Sequence, residues 1–115
     1  MTQLESLREQ LREFAAARDW DEFHSPKNLA MALSVEAGEL LEIFQWLTEA
    51  QSRSLTPETK AAASDEVADV LLYLIRLSDT LDIDPIAAAE RKLLVNAERY
   101  PADKARGNSK KYTEL

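Results

Sequence analysis

Apolar residues recur along this chain at the three- and four-residue steps of α-helices and not in the alternation of β-strands. A first helix is predicted to open at Thr2, because Glu5 follows three residues later and completes a capping box. Its apolar face is formed by Leu4, Leu7, Leu11 and Phe14. Three more helices are predicted where a capping residue precedes a proline, in the pairs Ser25-Pro26, Thr56-Pro57 and Asp84-Pro85.

The same periodicity predicts that the last three helices end near Glu49, Leu81 and Arg99. An alternative start for the third is Ser64, because residues 60–63 give little periodic signal. Two glycines in 115 residues are few for a turn-rich β fold. We therefore predict one all-α, four-helix domain over residues 1–101 and a polar, flexible tail over residues 102–115.

Composition and charge exclude several classes of function. The chain has no cysteine, so disulfides, thiol nucleophiles and cysteine-based zinc sites are ruled out. Its net charge of −7 disfavours a stable nucleic-acid partner, although seven basic residues against three acidic ones give residues 90–111 a basic character. An acidic chain with a basic C-terminal segment is typical of a protein that binds a small polyanion, or of one with a solvated tail. No signal-peptide pattern or membrane-spanning apolar run is present, so we expect a cytoplasmic protein without a membrane partner.

The third predicted helix is apolar on all sides. Its apolar residues surround the helix axis and do not form one stripe: Val67, Val70, Leu71, Leu72, Leu74, Ile75 and Leu77. A helix of this kind must be covered all around, which three short helices cannot easily achieve. We therefore expect self-association, as a homodimer or a dimer of dimers.

Two pairs of carboxylates occupy positions where the helical pattern demands apolar residues. A core-facing stripe on the second helix consists of Leu29, Leu33, Glu36, Leu40, Ile43 and Leu47. Glu39 shares the face of Glu36, and Glu66 and Asp69 repeat the arrangement on the third helix. Such a pair on one helix usually marks a solvated surface. Two pairs on the apolar faces of neighbouring helices instead indicate a functional site.

Burying several ionised carboxylates without partners is costly, so either their pKa values rise or a cation neutralises them. Lys60 and Arg76 are the nearby basic residues, and neither falls on the acidic face. Oxygen ligands without histidine or cysteine favour a hard cation, Mg²⁺ or its substitute Mn²⁺. Glu36, Glu39, Glu66 and Asp69 are thus the candidate metal ligands and catalytic residues.

The motif Glu36-x-x-Glu39, followed after twenty-six residues by Glu66-x-x-Asp69, resembles that of the all-α NTP pyrophosphohydrolases, the MazG-like superfamily. Within it the chain is most similar to the dCTP pyrophosphatase branch. That similarity is carried by residues 14–20, 22–29, 36–40, 44–46, 99–101 and 111–115. The resemblance implies a MazG-like bundle that hydrolyses dCTP or a modified dCTP to the monophosphate and pyrophosphate, clearing the nucleotide pool.

The resemblance also implies roles for residues outside the acidic motif. Trp20, Trp46 and Tyr73 would form walls around the base, and Asn96 a polar contact, while Lys92, Arg99 and Tyr100 would bind phosphate or sugar. On the residue pattern alone, Trp46 would more often be a packing residue, because it lies beside the stripe residue Leu47. The line of Lys92, Asn96 and Arg99 is equally typical of a solvated helix face.

One position departs from the pattern of the dCTP-preferring branch. A histidine is expected there on the first helix, and the corresponding place holds Leu11. The single histidine, His24, precedes the Ser25 cap and is interpreted as a surface or capping residue. This departure concerns the substrate preference and leaves the metal chemistry unchanged.

Three rival functions remain at this point. A non-enzymatic helical adaptor would place its acids on exposed faces. A di-iron bundle would require Glu-x-x-His pairs, which a chain with one histidine cannot supply. A relative that binds nucleotides without hydrolysing them is compatible with the sequence, although the presence of all four acids favours turnover.

Overall fold

The computed structural model of the chain describes residues 1–115, which form six α-helices and no strand. The helices are α1 (Gln3–Ala17), α2 (Pro26–Phe44), α3 (Glu49–Ser52), α4 (Pro57–Thr80), α5 (Pro85–Arg99) and α6 (Ala102–Ala105). Two 3₁₀ turns lie at Asp21–Phe23 and Tyr112–Glu114. The all-α prediction is confirmed. The chain divides into two compact units, Met1–Asp82 and Ile83–Leu115.

All four predicted helix starts are confirmed, and each has the expected cap. The Thr2 hydroxyl accepts a hydrogen bond from the Glu5 backbone N–H at 3.1 Å, and the Glu5 carboxylate accepts one from the Thr2 N–H at 3.0 Å. The three starts with a proline at the first helical position are capped by the side chains of Ser25, Thr56 and Asp84. The alternative start of α4 at Ser64 is therefore wrong.

The second helix is shorter than predicted, because α2 ends at Phe44 and not near Glu49. A new cap explains the break. Thr48 accepts a hydrogen bond from the Gln51 N–H at 3.1 Å, and the Gln51 side chain accepts one from the Thr48 N–H at 2.9 Å, which starts α3. The Thr48-x-x-Gln51 spacing is itself a capping-box motif that the prediction overlooked.

In the first unit, α4 packs extensively against α2 and less so against α1. The buried apolar side chains come from these three helices: Ala15, Leu29, Ala63 and Ile75. The stripe predicted on α2 faces this core, since Leu29 is buried and the five other stripe positions are half-buried. Glu36 is one of those positions, so an acid does occupy an inward-facing site.

An ion pair also joins α1 to α4. The Arg12 guanidinium donates two hydrogen bonds to the Asp79 carboxylate, from Nε at 2.7 Å and from Nη2 at 2.6 Å. The pKa of Asp79 is lowered, chiefly by this hydrogen-bonded contact with Arg12. Its contribution to stability is present above the ordinary aspartate pKa and is lost as the pH falls through the lowered value.

One side of α4 stays uncovered in the single chain. Val67, Leu71 and Leu74 are 54%, 43% and 42% exposed, and they recur at the four- and three-residue steps of one helix face. We call these three residues the α4 outer stripe. The sequence feature that prompted the expectation of self-association is therefore present as exposed apolar surface.

The second unit contains α5 and the segment that follows it. The ring of Tyr112 meets that of Tyr100 edge-on at 6.1 Å, and the Arg99 guanidinium lies 4.8 Å from the Tyr112 ring centre. Helix α6 and the Tyr112–Glu114 turn fall within the residues predicted as a tail, and the division at residue 101 stays a prediction. None of the helices combines the length and apolar character needed to cross a bilayer.

Candidate active site

Three of the predicted acids come together where α2 packs on α4. Carboxylate oxygens of Glu36, Glu39 and Glu66 lie within 4.8 Å of one another. Glu36 and Glu66 are half-buried and Glu39 is exposed. The helical spacing places Glu36 and Glu39 on one face, and the contact between the helices brings Glu66 to it. We call these three residues the acidic cluster.

Asp69, the fourth predicted acid, lies one turn after Glu66 and is half-buried. Its negative charge contributes to the raised pKa of Glu36, and its side chain lines the cavity described below. Asp69 thus connects the acidic cluster to the cavity.

The acidic cluster has no basic partner. Oxygen Oε2 of Glu36 and Oε2 of Glu66 are buried, and neither accepts a hydrogen bond. The ion pairs of the chain all involve other acids, namely Glu9, Asp21, Glu49 and Asp79. Buried carboxylate oxygens that lack a donor fit a cation, since oxygen is the preferred ligand of hard divalent ions.

Crowding of the acids raises two pKa values. The pKa of Glu36 is raised, first because its protonated form shares a hydrogen bond with the Glu66 carboxyl, and then because of burial and the charges of Asp69 and Glu66. The pKa of Glu39 is raised by its hydrogen bond with Glu36 and by the Glu36 charge. A bound divalent ion would lower the pKa values of both glutamates again, since it favours their ionised forms.

A cavity of about 230 Å³ lies in the first unit. Its walls come from α1, the turn after it, and α4, and comprise Leu11, Phe14, Ala15, Trp20, His24, Asp69, Leu72, Tyr73 and Arg76. It is smaller than the roughly 300–1,000 Å³ typical of pockets that enclose a whole small molecule. The cavity therefore suits a part of a ligand, such as one planar ring system.

Trp20 reaches the cavity through the turn that ends α1. The Trp20 N–H donates to the Ala15 carbonyl at 2.9 Å and the Asp19 N–H donates to the Ala16 carbonyl at 3.2 Å, which together form a Schellman motif. Asp19 has the left-handed φ of +53° that this motif requires. The turn brings the Trp20 ring edge-on to Phe14 at 5.7 Å, and the indole stays 43% exposed.

His24 and Arg76 are cavity residues that the sequence analysis missed. His24 is half-buried, and Ser25 alone caps α2, so the interpretation of His24 as a surface or capping residue is wrong. Its Nδ1 accepts a hydrogen bond from Arg76 Nε at 3.1 Å. Burial, followed by the charge of Arg76, lowers the pKa of His24. No periodic pattern signals such a pair, since 52 residues separate its members.

Of the other predicted binding residues, only Tyr73 belongs to the cavity wall. Tyr73 lies on α4 beside Asp69 and Leu72 in this wall, and its role as a base contact stays a prediction. Trp46 follows α2, is 86% exposed and is not part of the cavity wall, so it is not packed in the core of the single chain. On α5 of the second unit, Lys92 and Arg99 are exposed and Asn96 is half-buried, and Tyr100, which follows the helix, is half-buried as well.

Comparison with known proteins identifies the family to which this chain is related. The family model described as MazG-like matches residues 31–115. The chain is 46% identical to human dCTP pyrophosphatase 1 over 114 residues, which cover 97% of this chain and 67% of the human protein. It is 43% identical to rat dCTP pyrophosphatase 1, with the same coverage of both chains.

A solved structure agrees with these sequence matches. The crystal structure of a pyrophosphatase from Archaeoglobus fulgidus superposes with a TM-score of 0.82 at 42% identity, over 88% of this chain and 94% of that one. Sequence and fold therefore point to the same group of hydrolases.

Proposed function

This chain belongs to the MazG-like family, and from that premise we propose that it hydrolyses dCTP, or a modified dCTP, to the monophosphate and pyrophosphate. The observation that carries the proposal is the acidic cluster beside the cavity. A group of acids with unpaired buried oxygens suits metal-bound phosphates, and an adjacent cavity with aromatic walls suits a base.

A divalent cation fits the acidic cluster, and we propose Mg²⁺, with Mn²⁺ as a substitute. Glu36, Glu39, Glu66 and Asp69 would hold it. When bound, it would supply charge neutralisation for the triphosphate and stabilise the negative charge that develops on the leaving pyrophosphate.

The protein side chains would contribute general-base catalysis. One of the glutamates would orient a water molecule towards a phosphorus atom and accept its proton as the new P–O bond forms. The bond between the α- and β-phosphates would break, and its electrons would leave with the pyrophosphate. The presence of all four acids supports turnover and not nucleotide binding alone.

The cavity would hold the base, with Trp20 and Tyr73 as its walls. Trp20 suits this role because its ring is already fixed by the preceding turn and yet partly exposed. Trp46 is proposed as a further base contact from outside the cavity. Asn96 is proposed as a polar contact. Lys92, Arg99 and Tyr100 are proposed as phosphate or sugar ligands, in keeping with the basic character of residues 90–111.

The decisive test is a panel of ribo- and deoxyribonucleoside triphosphates assayed with Mg²⁺ for release of pyrophosphate. We expect deoxycytidine triphosphates to be hydrolysed fastest, with the monophosphate and pyrophosphate in equal amounts. Release of orthophosphate would mean that a different bond is broken. Equal rates for all bases would contradict the proposed preference for cytosine.

We also propose that the chain functions as a homodimer or a dimer of dimers, in a cytoplasmic setting. The α4 outer stripe supports self-association, because Val67, Leu71 and Leu74 form an exposed apolar face on a helix that also packs against α2 and α1.

Leu71→Glu is expected to lower the oligomeric state, because it places a charge in the middle of this face. Light scattering coupled to gel filtration should give two or four chains for the wild type and fewer for the variant. Glu13→Gln, on an exposed position of α1, is the control and should leave the mass unchanged. A wild-type protein that elutes as a monomer at micromolar concentration would contradict the proposal.

A further inference from the structure

The cavity wall contains a hydrogen-bond chain that runs from Asp21 through Arg76 to His24. Arg76 of α4 donates from Nε to His24 Nδ1 at 3.1 Å and from Nη2 to an Asp21 carboxylate oxygen at 2.6 Å. The Arg76 side chain is only 11% exposed, whereas that of Asp21 is 63% exposed. A nearly buried guanidinium thus connects α4 to the turn that carries Trp20 and His24.

The turn itself is fixed at several points. The His24 N–H donates to the Trp20 carbonyl at 3.1 Å, and the Asn28 side chain donates to the Phe23 carbonyl at 3.0 Å. The His24 and Trp20 rings lie 6.1 Å apart. Backbone bonds therefore set the position of the turn, and the bond from Arg76 sets the orientation of the imidazole within it.

The chemistry of the two partners fixes where the imidazole proton lies. A guanidinium Nε always carries its hydrogen and can only donate, so His24 Nδ1 must accept and carries no proton. The neutral ring then has its proton on Nε2. The lowered pKa of His24 agrees with a ring that stays neutral beside a cation.

We propose that Arg76 is a positioning residue for the base site: it holds His24 in the tautomer whose Nε2–H is the hydrogen-bond donor that the ring offers to the nucleotide base. This inference rests on the proposed function. Cytosine carries acceptors at its O2 and N3 atoms, so a fixed N–H donor in the cavity wall favours a base with that edge. A ring free to exchange tautomers would present a donor only part of the time.

Nuclear magnetic resonance tests the tautomer without any substrate. His24 is the only histidine of the chain, so a ¹⁵N spectrum of the imidazole contains one pair of nitrogens. We expect an unprotonated Nδ1 and a protonated Nε2 in the wild type, and shifts averaged between the tautomers in Arg76→Met. Arg53→Met is the control, because Arg53 is exposed, pairs with Glu49 and contacts neither His24 nor Asp79, which also pairs with Arg76. A wild-type Nδ1 that carries a proton overturns the proposal.

Kinetics with dCTP test the consequence for binding. We expect Arg76→Met to raise KM by up to about tenfold, as for loss of the neutral hydrogen bond between His24 Nε2–H and the base, and to change kcat less than about threefold. In a His24→Ala background the same substitution should change KM less than about twofold. A tenfold effect that persists without His24 would overturn the proposal, because Arg76 would then act on the substrate directly or on the fold.

The two hypotheses fail in different ways. If the wild-type chain hydrolyses no nucleotide, the proposed function fails, and the ¹⁵N spectrum still decides whether Arg76 fixes His24. If dCTP is hydrolysed normally by Arg76→Met, or if its spectrum matches that of the wild type, the role of Arg76 is refuted while the proposed function stands. Arg76→Gln serves as a second variant if Arg76→Met does not fold.

Discussion

Glu36→Gln is expected to lower dCTP turnover by about a thousandfold or more while the helical circular dichroism spectrum stays that of the wild type. The substitution keeps the size of the side chain and removes the charge from the centre of the acidic cluster, where Glu36 approaches both Glu39 and Glu66. Asp69→Asn should have a comparable effect. Glu13→Gln makes the same chemical change on an exposed face of α1 and should retain full activity.

The same variant is expected to melt at a higher temperature than the wild type when metal is absent. The raised pKa of Glu36 means that ionisation of this group disfavours the folded state, so the wild type loses stability as the pH rises past the ordinary glutamate pKa. The melting temperature of the variant should thus exceed that of the wild type at pH 7, and the difference should vanish near pH 4. Added Mg²⁺ should raise the melting temperature of the wild type more than that of the variant. A variant that melts lower than the wild type at pH 7 without metal would contradict a repulsive acidic cluster.

Leu29→Ala is expected to be the most destabilising single truncation in the first unit, at about 2–5 kcal/mol. Leu29 is 1% exposed and is the largest side chain that is fully buried. Few apolar side chains share its degree of burial, so a cavity at this position removes a large fraction of the core. Urea denaturation at a fixed chain concentration measures the loss, since self-association would add to the apparent stability.

Leu41→Ala is the matched control for this truncation. It makes the same chemical change on the same helix, at a residue that is 61% exposed, and should cost less than about 1 kcal/mol. A similar cost at both positions would show that burial in the single chain does not determine which leucines of α2 stabilise the fold.

Helix starts were predictable from the sequence because each depends on a short local pattern. A capping residue followed by a proline, or the Thr2 and Glu5 pair, needs no information from the rest of the fold. The end of α2 was harder to predict, since the apolar stripe continues to Leu47 and conceals the break after Phe44. The competing signal, the Thr48 cap, is also local and could have been recognised.

The candidate site was predictable only in part. The acids of the cluster were identified because a charged residue within an apolar stripe is a local anomaly. The contact between Arg76 and His24 depends on the packing of α4 against the turn after α1, and no pattern in the sequence reports it. Trp46 shows the same limit: its position beside a stripe residue suggested packing, but α2 ends before it and leaves it exposed.

The left-handed backbone conformation of Asp19 lowers the stability of the fold but helps to keep the Trp20 ring in place. A side chain with a Cβ atom at a φ of +53° costs roughly 1 kcal/mol relative to glycine. Selection for heat resistance would therefore favour glycine there, and would at the same time give the segment leading into Trp20 new freedom. An engineer who stabilises this protein at that turn should expect to loosen the indole that the proposed function assigns to the base.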